Sequence, residues 1–136
     1  MNHWDKKYQQ RQIDSNACYA LQEHIHRLSN PGQALDLAAG LGGNAIFLAR
    51  KGWQVAAWDY SAVAMQKLSE FSDKAKLPIK TRVVDLEGTV LDEQLTQSQV
   101  YDLIVVSNYL HRPLFPYLEN LLKPNGFIIY ETFYFP

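Results

Sequence analysis

A glycine-rich turn set between two apolar runs, Gln33 to Ser61 (QALDLAAGLGGNAIFLARKGWQVAAWDYS), restricts the fold of this chain more than any other stretch. The first run, Ala34, Leu35, Leu37 and Ala38, is too short for a buried helix and ends in Gly40, Gly42 and Gly43, so it reads as a central parallel strand. Behind the turn, Ala45, Leu48 and Ala49 recur at helical spacing. Arg50, Lys51 and Gly52 then supply the cationic last turn and the glycine on which helices end. A second buried strand, Trp53 to Trp58, follows at once and ends in Asp59. Two strands joined through one helix by such short loops form a right-handed crossover.

The chemistry of this unit lies in its turn. Glycines let the backbone approach a ligand closely, and the helix behind them directs free amides and a positive dipole end at it. Asp59 stands 19 positions beyond Gly40, at the carboxyl end of the next strand, where a carboxylate accepts both hydroxyl protons of a ribose. A nucleoside-bearing ligand is the expectation; the plainer alternative is a crossover whose glycines serve only close packing. Gly40, Gly42 and Ala45 also satisfy the loose dinucleotide pattern, which keeps a nicotinamide-dependent oxidoreductase in view. Asp36, inside the strand, argues against it, because a carboxylate there repels a pyrophosphate and attracts a cationic group.

The run Asp36-Leu37-Ala38-Ala39-Gly40-Leu41-Gly42-Gly43 resembles the first motif of the class I S-adenosylmethionine-dependent methyltransferases, an acidic residue followed by x-G-x-G-x-G, with Ala38 in place of the first glycine. The resemblance implies that Asp36, Ala38, Gly40 and Gly42 hold the methionine part of S-adenosylmethionine and that Asp59 takes its ribose, with Tyr60 and Ser107 also in the cofactor site.

Composition excludes several other classes. With 136 residues, 47% of them hydrophobic and 20% charged, the chain has the make-up of one soluble globular domain. A net charge of -1 without a Lys/Arg cluster gives no electrostatic footprint for nucleic acid or an anionic membrane. One cysteine, Cys18, excludes an internal disulfide and suits a reducing compartment. No apolar run is long enough to span a bilayer, and MNHWDKKYQQ lacks the apolar core of a signal peptide. A cytoplasmic protein acting on a small molecule is expected.

Ahead of the turn, Trp4 and Tyr8 fall one helical turn apart on an otherwise polar segment and need somewhere to pack. One reading is a frayed first turn clipped to the body. The other comes from resemblance: Trp4-Asp5-Lys6-Lys7-Tyr8 is similar to a W-D-x-x-Y segment that forms part of a cofactor lid in many small bacterial methyltransferases, which makes residues 1–13 a lid. A helix is expected from Ser15 to Leu28, stopped by Asn30-Pro31-Gly32. His24 and His26 are two apart, on different helix faces, and no metal site is expected there.

Beyond the crossover, Ser61 caps a helix carrying Ala64, Leu68 and Phe71 on one face, ended by Leu77-Pro78. Ile79 to Val84 is a third strand, finishing at Asp85 and Leu86. By the resemblance these two meet the adenine; the residues alone allow a turn-forming Asp beside Gly88. Leu91 and Leu95 hint at a short helix. Tyr101 to Val106 reads as a central fourth strand. The sheet order reverses between the first and fourth strands, so substrate should meet Ser107, Asn108, Tyr109, His111 and Arg112. His111 is a candidate general base or simply a solvated loop histidine. Methyl transfer to many nucleophiles needs little beyond alignment.

Pro113 opens a helix with Leu114, Leu118, Leu121 and Leu122 on its buried face, stopped by Lys123-Pro124-Asn125-Gly126 ahead of a fifth strand from Phe127 to Phe133. Leu122-Lys123-Pro124-Asn125-Gly126-Phe127-Ile128-Ile129 resembles the L-K-P-G-G-x-hydrophobic entry to the methyltransferase fifth strand, with Asn where positive φ is needed. Members of that family continue past this strand with a further helix and an antiparallel strand pair, whereas this sequence ends at Pro136. An apolar edge at Phe127-Ile128-Ile129-Tyr130 without gatekeeping charges predicts a homodimer through strand five, or a truncated product. The expectation is a three-layer α/β sandwich, a single domain with a Rossmann-like parallel sheet of order 3-2-1-4-5 and helices on both faces. Its expected function is S-adenosylmethionine-dependent methyl transfer, set against a non-catalytic binding module and, further off, the nicotinamide enzyme.

Overall fold

The computed structural model describes residues 2–13, 15–28, 30–87, 99–109 and 111–132. Five parallel strands form one sheet in the order β3-β2-β1-β4-β5, as the sequence predicts. They are β1 (Gln33–Leu37), β2 (Gln54–Asp59), β3 (Ile79–Val83), β4 (Tyr101–Ser107) and β5 (Leu122–Glu131). Leu35 sits in register with Ala56 on one side and Ile104 on the other, so β1 is the centre. Strand alternation divides its side chains: Ala34 joins the core under the helices α2 (Tyr19–His24), α3 (Gly43–Arg50) and α4 (Ala62–Ala75), while Leu35 and Leu37 join that under α5 (Phe115–Leu121). Helices therefore cover both faces. A short helix, α1 (His3–Gln9), packs on α4.

Local chemistry explains where the elements begin and end. Ser61 Oγ accepts the Ala64 N–H at 3.1 Å and caps α4. Gly52, at φ +96, follows α3 in the left-handed conformation that releases the chain into β2. Among the described residues, no helix is long and apolar enough to cross a membrane.

Three boundaries differ from expectation. The helix expected from Ser15 begins only at Tyr19 and passes into a 3-10 turn over Ile25–Arg27. The Cys18 N–H donates to Asn44 Oδ1 at 2.8 Å, which holds the preceding residues extended against the glycine turn. Ala38 leaves β1, with φ +61. Pairing of β5 begins at Leu122 rather than Phe127, because Leu122 pairs with Tyr101 and Phe127 with Leu103, so 123–126 bulge out opposite Asp102. Asn125 supplies the expected positive φ, +68. Leu91 and Leu95, Leu110 and the final residues Phe133 to Pro136 lie outside the described residues.

Candidate functional site

Two adjoining clefts run along the carboxyl ends of the strands, where an open parallel sheet places its ligands. One, of about 350 Å³, is lined by Asp59 and Tyr60 after β2, Asp85, Leu86 and Glu87 after β3, and Asn108 and Tyr109 after β4. The other, of about 660 Å³, lies over the glycine turn, with Gly40, Gly42, Asn44, Ser107 and Glu131 among its walls. Trp4, Tyr8, Ala38 and Asn108 border both, so the two form one groove.

Two buried carboxylates fix the floor. Asp59 Oδ1 accepts the Gly40 N–H at 3.0 Å and Oδ2 the Ser61 N–H at 2.9 Å. Each oxygen keeps a second acceptor position. Burial pushes this carboxyl up from its ordinary value, against the pull of those two bonds. Asp36 is fully buried beneath the turn, where Oδ2 accepts the Ala45 N–H at 3.1 Å near the start of α3. Its Oδ1 has no hydrogen-bond partner among the described residues, and burial pushes the group up to about 7.

The rim is built from the two chain segments around the turn. The Asn44 amide spans the groove's edge, donating to Ser107 Oγ at 2.9 Å and accepting from Cys18. Glu131 Oε1 accepts the Ala20 N–H at 3.0 Å, and its carbonyl accepts the Asn108 N–H at 2.8 Å. The Tyr130 hydroxyl donates to the Tyr109 carbonyl. Asp85 Oδ1 accepts the Glu87 N–H at 3.1 Å, the turn-forming contact expected of an Asp here, and the residue still lines the cleft.

Above the floor lies α1. Trp4 and Tyr8 stack with ring centroids 6.0 Å apart and planes at 24°. A Cβ added to Gly40, which has φ +55, would lie 2.9 Å from the Tyr8 hydroxyl, so only glycine lets the ring come down onto the turn. Burial raises the Tyr8 phenol, and Asp59 adds to the shift.

Most of the residues expected at the site do meet in this groove: Trp4, Tyr8, Ala38, Gly40, Gly42, Asp59, Tyr60, Asp85, Leu86, Ser107, Asn108 and Tyr109. Three do not. Asp36 was expected to hold the methionine part of the cofactor, but it shares the face of β1 covered by α2, α3 and α4 and lines neither cleft. His111 lies off the lining, its Nδ1 3.6 Å from Glu87 Oε1. Arg112 is exposed on the 3-10 turn that precedes α5. Residues missed by the sequence reading include Asn44, a polar residue opening an apolar helix, and Glu131, a carboxylate at a strand's carboxyl end. Both features were visible signals.

The sequence profile of the family described as "Tellurite resistance protein TehB" matches residues 1–121. "Probable polyketide synthase 31" of Dictyostelium discoideum is 34% identical over 93 residues, 61% of this chain and 4% of that protein. The structure of TehB from Haemophilus influenzae superposes with a TM-score of 0.60 at 25% identity, covering 88% of this chain and 39% of that one. Geranyl diphosphate C-methyltransferase from Streptomyces coelicolor A3(2), in complex with Mg2+, geranyl diphosphate and S-adenosyl-L-homocysteine, shares the fold with a TM-score of 0.67 at 17% identity, over 80% of this chain and 42% of that one. The chain spans less than half the length of each of these relatives.

Proposed function

Since the chain belongs to the TehB tellurite resistance family and has the class I S-adenosylmethionine-dependent methyltransferase fold, we propose that it binds S-adenosylmethionine and transfers the methyl group to a small-molecule acceptor. Asp59 carries this reading. It lines the cleft at the carboxyl end of β2, and its two oxygens are each aimed by one backbone N–H, which leaves acceptor positions for the two hydroxyls of a ribose. Asp85 and Leu86 extend the same cleft on the adenine side. Ala38, Gly40, Gly42, Asn44 and Ser107 take the methionine side.

Charge supports the same assignment. Among the described residues, the cleft around Asp59 also carries Asp85 and Glu87 and no Lys or Arg, an environment that repels a pyrophosphate and disfavours a dinucleotide. The cleft over the turn combines Lys7 and Arg11 with Glu131, cations and an anion for the two ends of an amino-acid zwitterion.

When bound, the cofactor supplies an activated methyl on a sulfonium. The share of this chain is to hold and align the reactants and to keep water out beneath Trp4 and Tyr8. Asn108, which borders both clefts, and Tyr109 beside it in the first are assigned to the acceptor. The exposed Phe127 and Ile128 on edge strand β5 support pairing with a second copy. We assign the activity to the cytoplasm, as the cysteine usage suggests.

Calorimetric titration with S-adenosylmethionine, S-adenosylhomocysteine and NADH, with light scattering on the same sample, tests the reading. Micromolar binding of the first two and none of the third is expected. A folded sample that binds neither sulfur compound overturns it.

A further inference from the structure

The roof of the groove is tied down from outside the groove. Lys67, on α4, points its ammonium at the last turn of α1 and donates to the carbonyls of Tyr8 at 2.6 Å, Gln9 at 3.1 Å and Arg11 at 2.7 Å. All three ammonium protons are thereby placed on carbonyls at and just beyond the end of α1, one of which, that of Tyr8, also accepts the Arg11 N–H at 3.2 Å. A cation at a helix carboxyl end also meets the negative pole of its dipole. The opposite end of α1 is held by opposite charge. Asp5 Oδ1 accepts from the Ser61 hydroxyl and, at 3.2 Å, from the Val63 N–H. The hydroxyl beside it lowers the Asp5 pKa, so the carboxylate form is the one that binds.

Both ties belong to the element that follows Asp59 directly. Ser61 joins them: its N–H is held by Asp59, its hydroxyl by Asp5, and its oxygen caps α4. The floor carboxylate and the roof helix are thus connected through one residue. Trp4 and Tyr8 cannot lift from the glycine turn unless one of the two ties breaks.

We propose that Lys67 is a positioning residue that holds Trp4 and Tyr8 over the groove, and that ligand residence time is set by this tie as well as by the floor contacts. The inference rests on the cofactor reading above. Lys67 itself lines neither cleft, and it acts through the backbone of residues 8–11.

The test compares wild type with Lys67→Met, Lys67→Arg and, as a control on the same helix, the exposed Lys74→Met. Release of S-adenosylhomocysteine is followed by chase, and amide hydrogen exchange of 3–11 is followed in ligand-free protein. The buried face of α4 is Ala64, Met65, Leu68 and Ser72, so methionine at position 67 leaves its packing intact. Lys67→Met should speed release by about tenfold or more, with association changed less than about threefold, because charge-assisted contacts to the roof act on the bound state. Lys67→Arg retains the charge and several donors and should return to within about threefold of wild type. Exchange should rise over 3–11 in Lys67→Met and stay unchanged in α4 and in the Lys74→Met control. Unchanged release from Lys67→Met, or faster release without faster exchange over 3–11, overturns the proposal. Failure of wild type to bind overturns the cofactor reading on which it depends.

Discussion

The groove has two sides made in different ways. On the side of β1 and β2, side-chain carboxylates collect backbone amides close by: Asp59 holds Gly40 and Ser61, and Asp36 holds Ala45. On the side of β4 and β5, the contacts join segments far apart in the chain, Asn44 to Ser107 and Ala20 to Glu131. The first side is a shape the local chain makes for itself. The second exists only once the whole sheet has assembled. Ligand contacts common to any nucleoside suit the first kind of construction, and those that vary with the acceptor suit the second.

Four measurements break or sharpen that contrast, and the largest effect belongs to Asp36. Its carboxyl is raised to about 7 from 3.8. Between those values the folded state keeps a proton that the unfolded chain has released, so stability falls as pH rises through this window. At about 1.4 kcal/mol per pKa unit, the loss reaches up to ~4 kcal/mol above pH 7. Asp36→Asn still offers an acceptor to Ala45 and lacks this slope, so urea midpoints of the two proteins should diverge from pH 4 to pH 8. Parallel profiles would place Asp36 in contact with water.

Next comes a pair of glycines, Gly42 in the turn under the groove and Gly126 in the bulge at the far, amino end of the β4–β5 pairing. Gly42 has φ +88, and a Cβ there would lie 2.4 Å from Leu68 Cδ1. Gly42→Ala should cost about 2–3 kcal/mol from backbone strain and overpacking together. Gly126 has no such φ, and its Cβ would meet the Leu122 side chain at 2.8 Å and the Asp102 carbonyl at 3.0 Å. Gly126→Ala should cost about 1 kcal/mol, since the bulge can shift. Equal losses in chemical denaturation would erase the distinction between a self-made turn and an assembled edge.

Asp59→Ala should weaken S-adenosylhomocysteine binding by at least about tenfold through loss of a charge-assisted bidentate contact. Calorimetry that finds unchanged affinity moves the ribose elsewhere. The smallest effect is expected at His111, which stands off the lining beside Glu87. His111→Gln should alter affinity by less than about twofold, as surface substitutions do. A larger change measured in the same titration would bring His111 into the site.

What was legible in the sequence follows the same division. The strand, turn and helix from Gln33 to Arg50 and the Ser61 cap depend on neighbours within a few residues, Asp59 and Asp85 on standing at the ends of their strands, and the structure has them where the pattern puts them. Asp36 lies in β1 as expected but lines neither cleft, because a residue two beyond Ala34 along a strand shares its face, the one under α2, α3 and α4, and its charge was read ahead of that period. The start of α2 depends on a bond from Cys18 to Asn44, and the start of β5 on a bulge opposite Asp102, neither of which has a local signature. Lys67 was invisible for the same reason, since nothing in α4 announces that residues 8–11 will arrive beside it.

Ala38 and Asn108 share a further property. They follow neighbouring strands, both adopt left-handed backbone, φ +61 and +57, and both border the two clefts. Glycine would adopt that conformation freely, while an L side chain costs roughly 1 kcal/mol there. The groove thus carries stored backbone tension where its two compartments meet, at the ends of two adjoining strands. Ala38→Gly would release roughly 1 kcal/mol of it, so the seam of the groove is a place where the protein is less sturdy than its chain could make it.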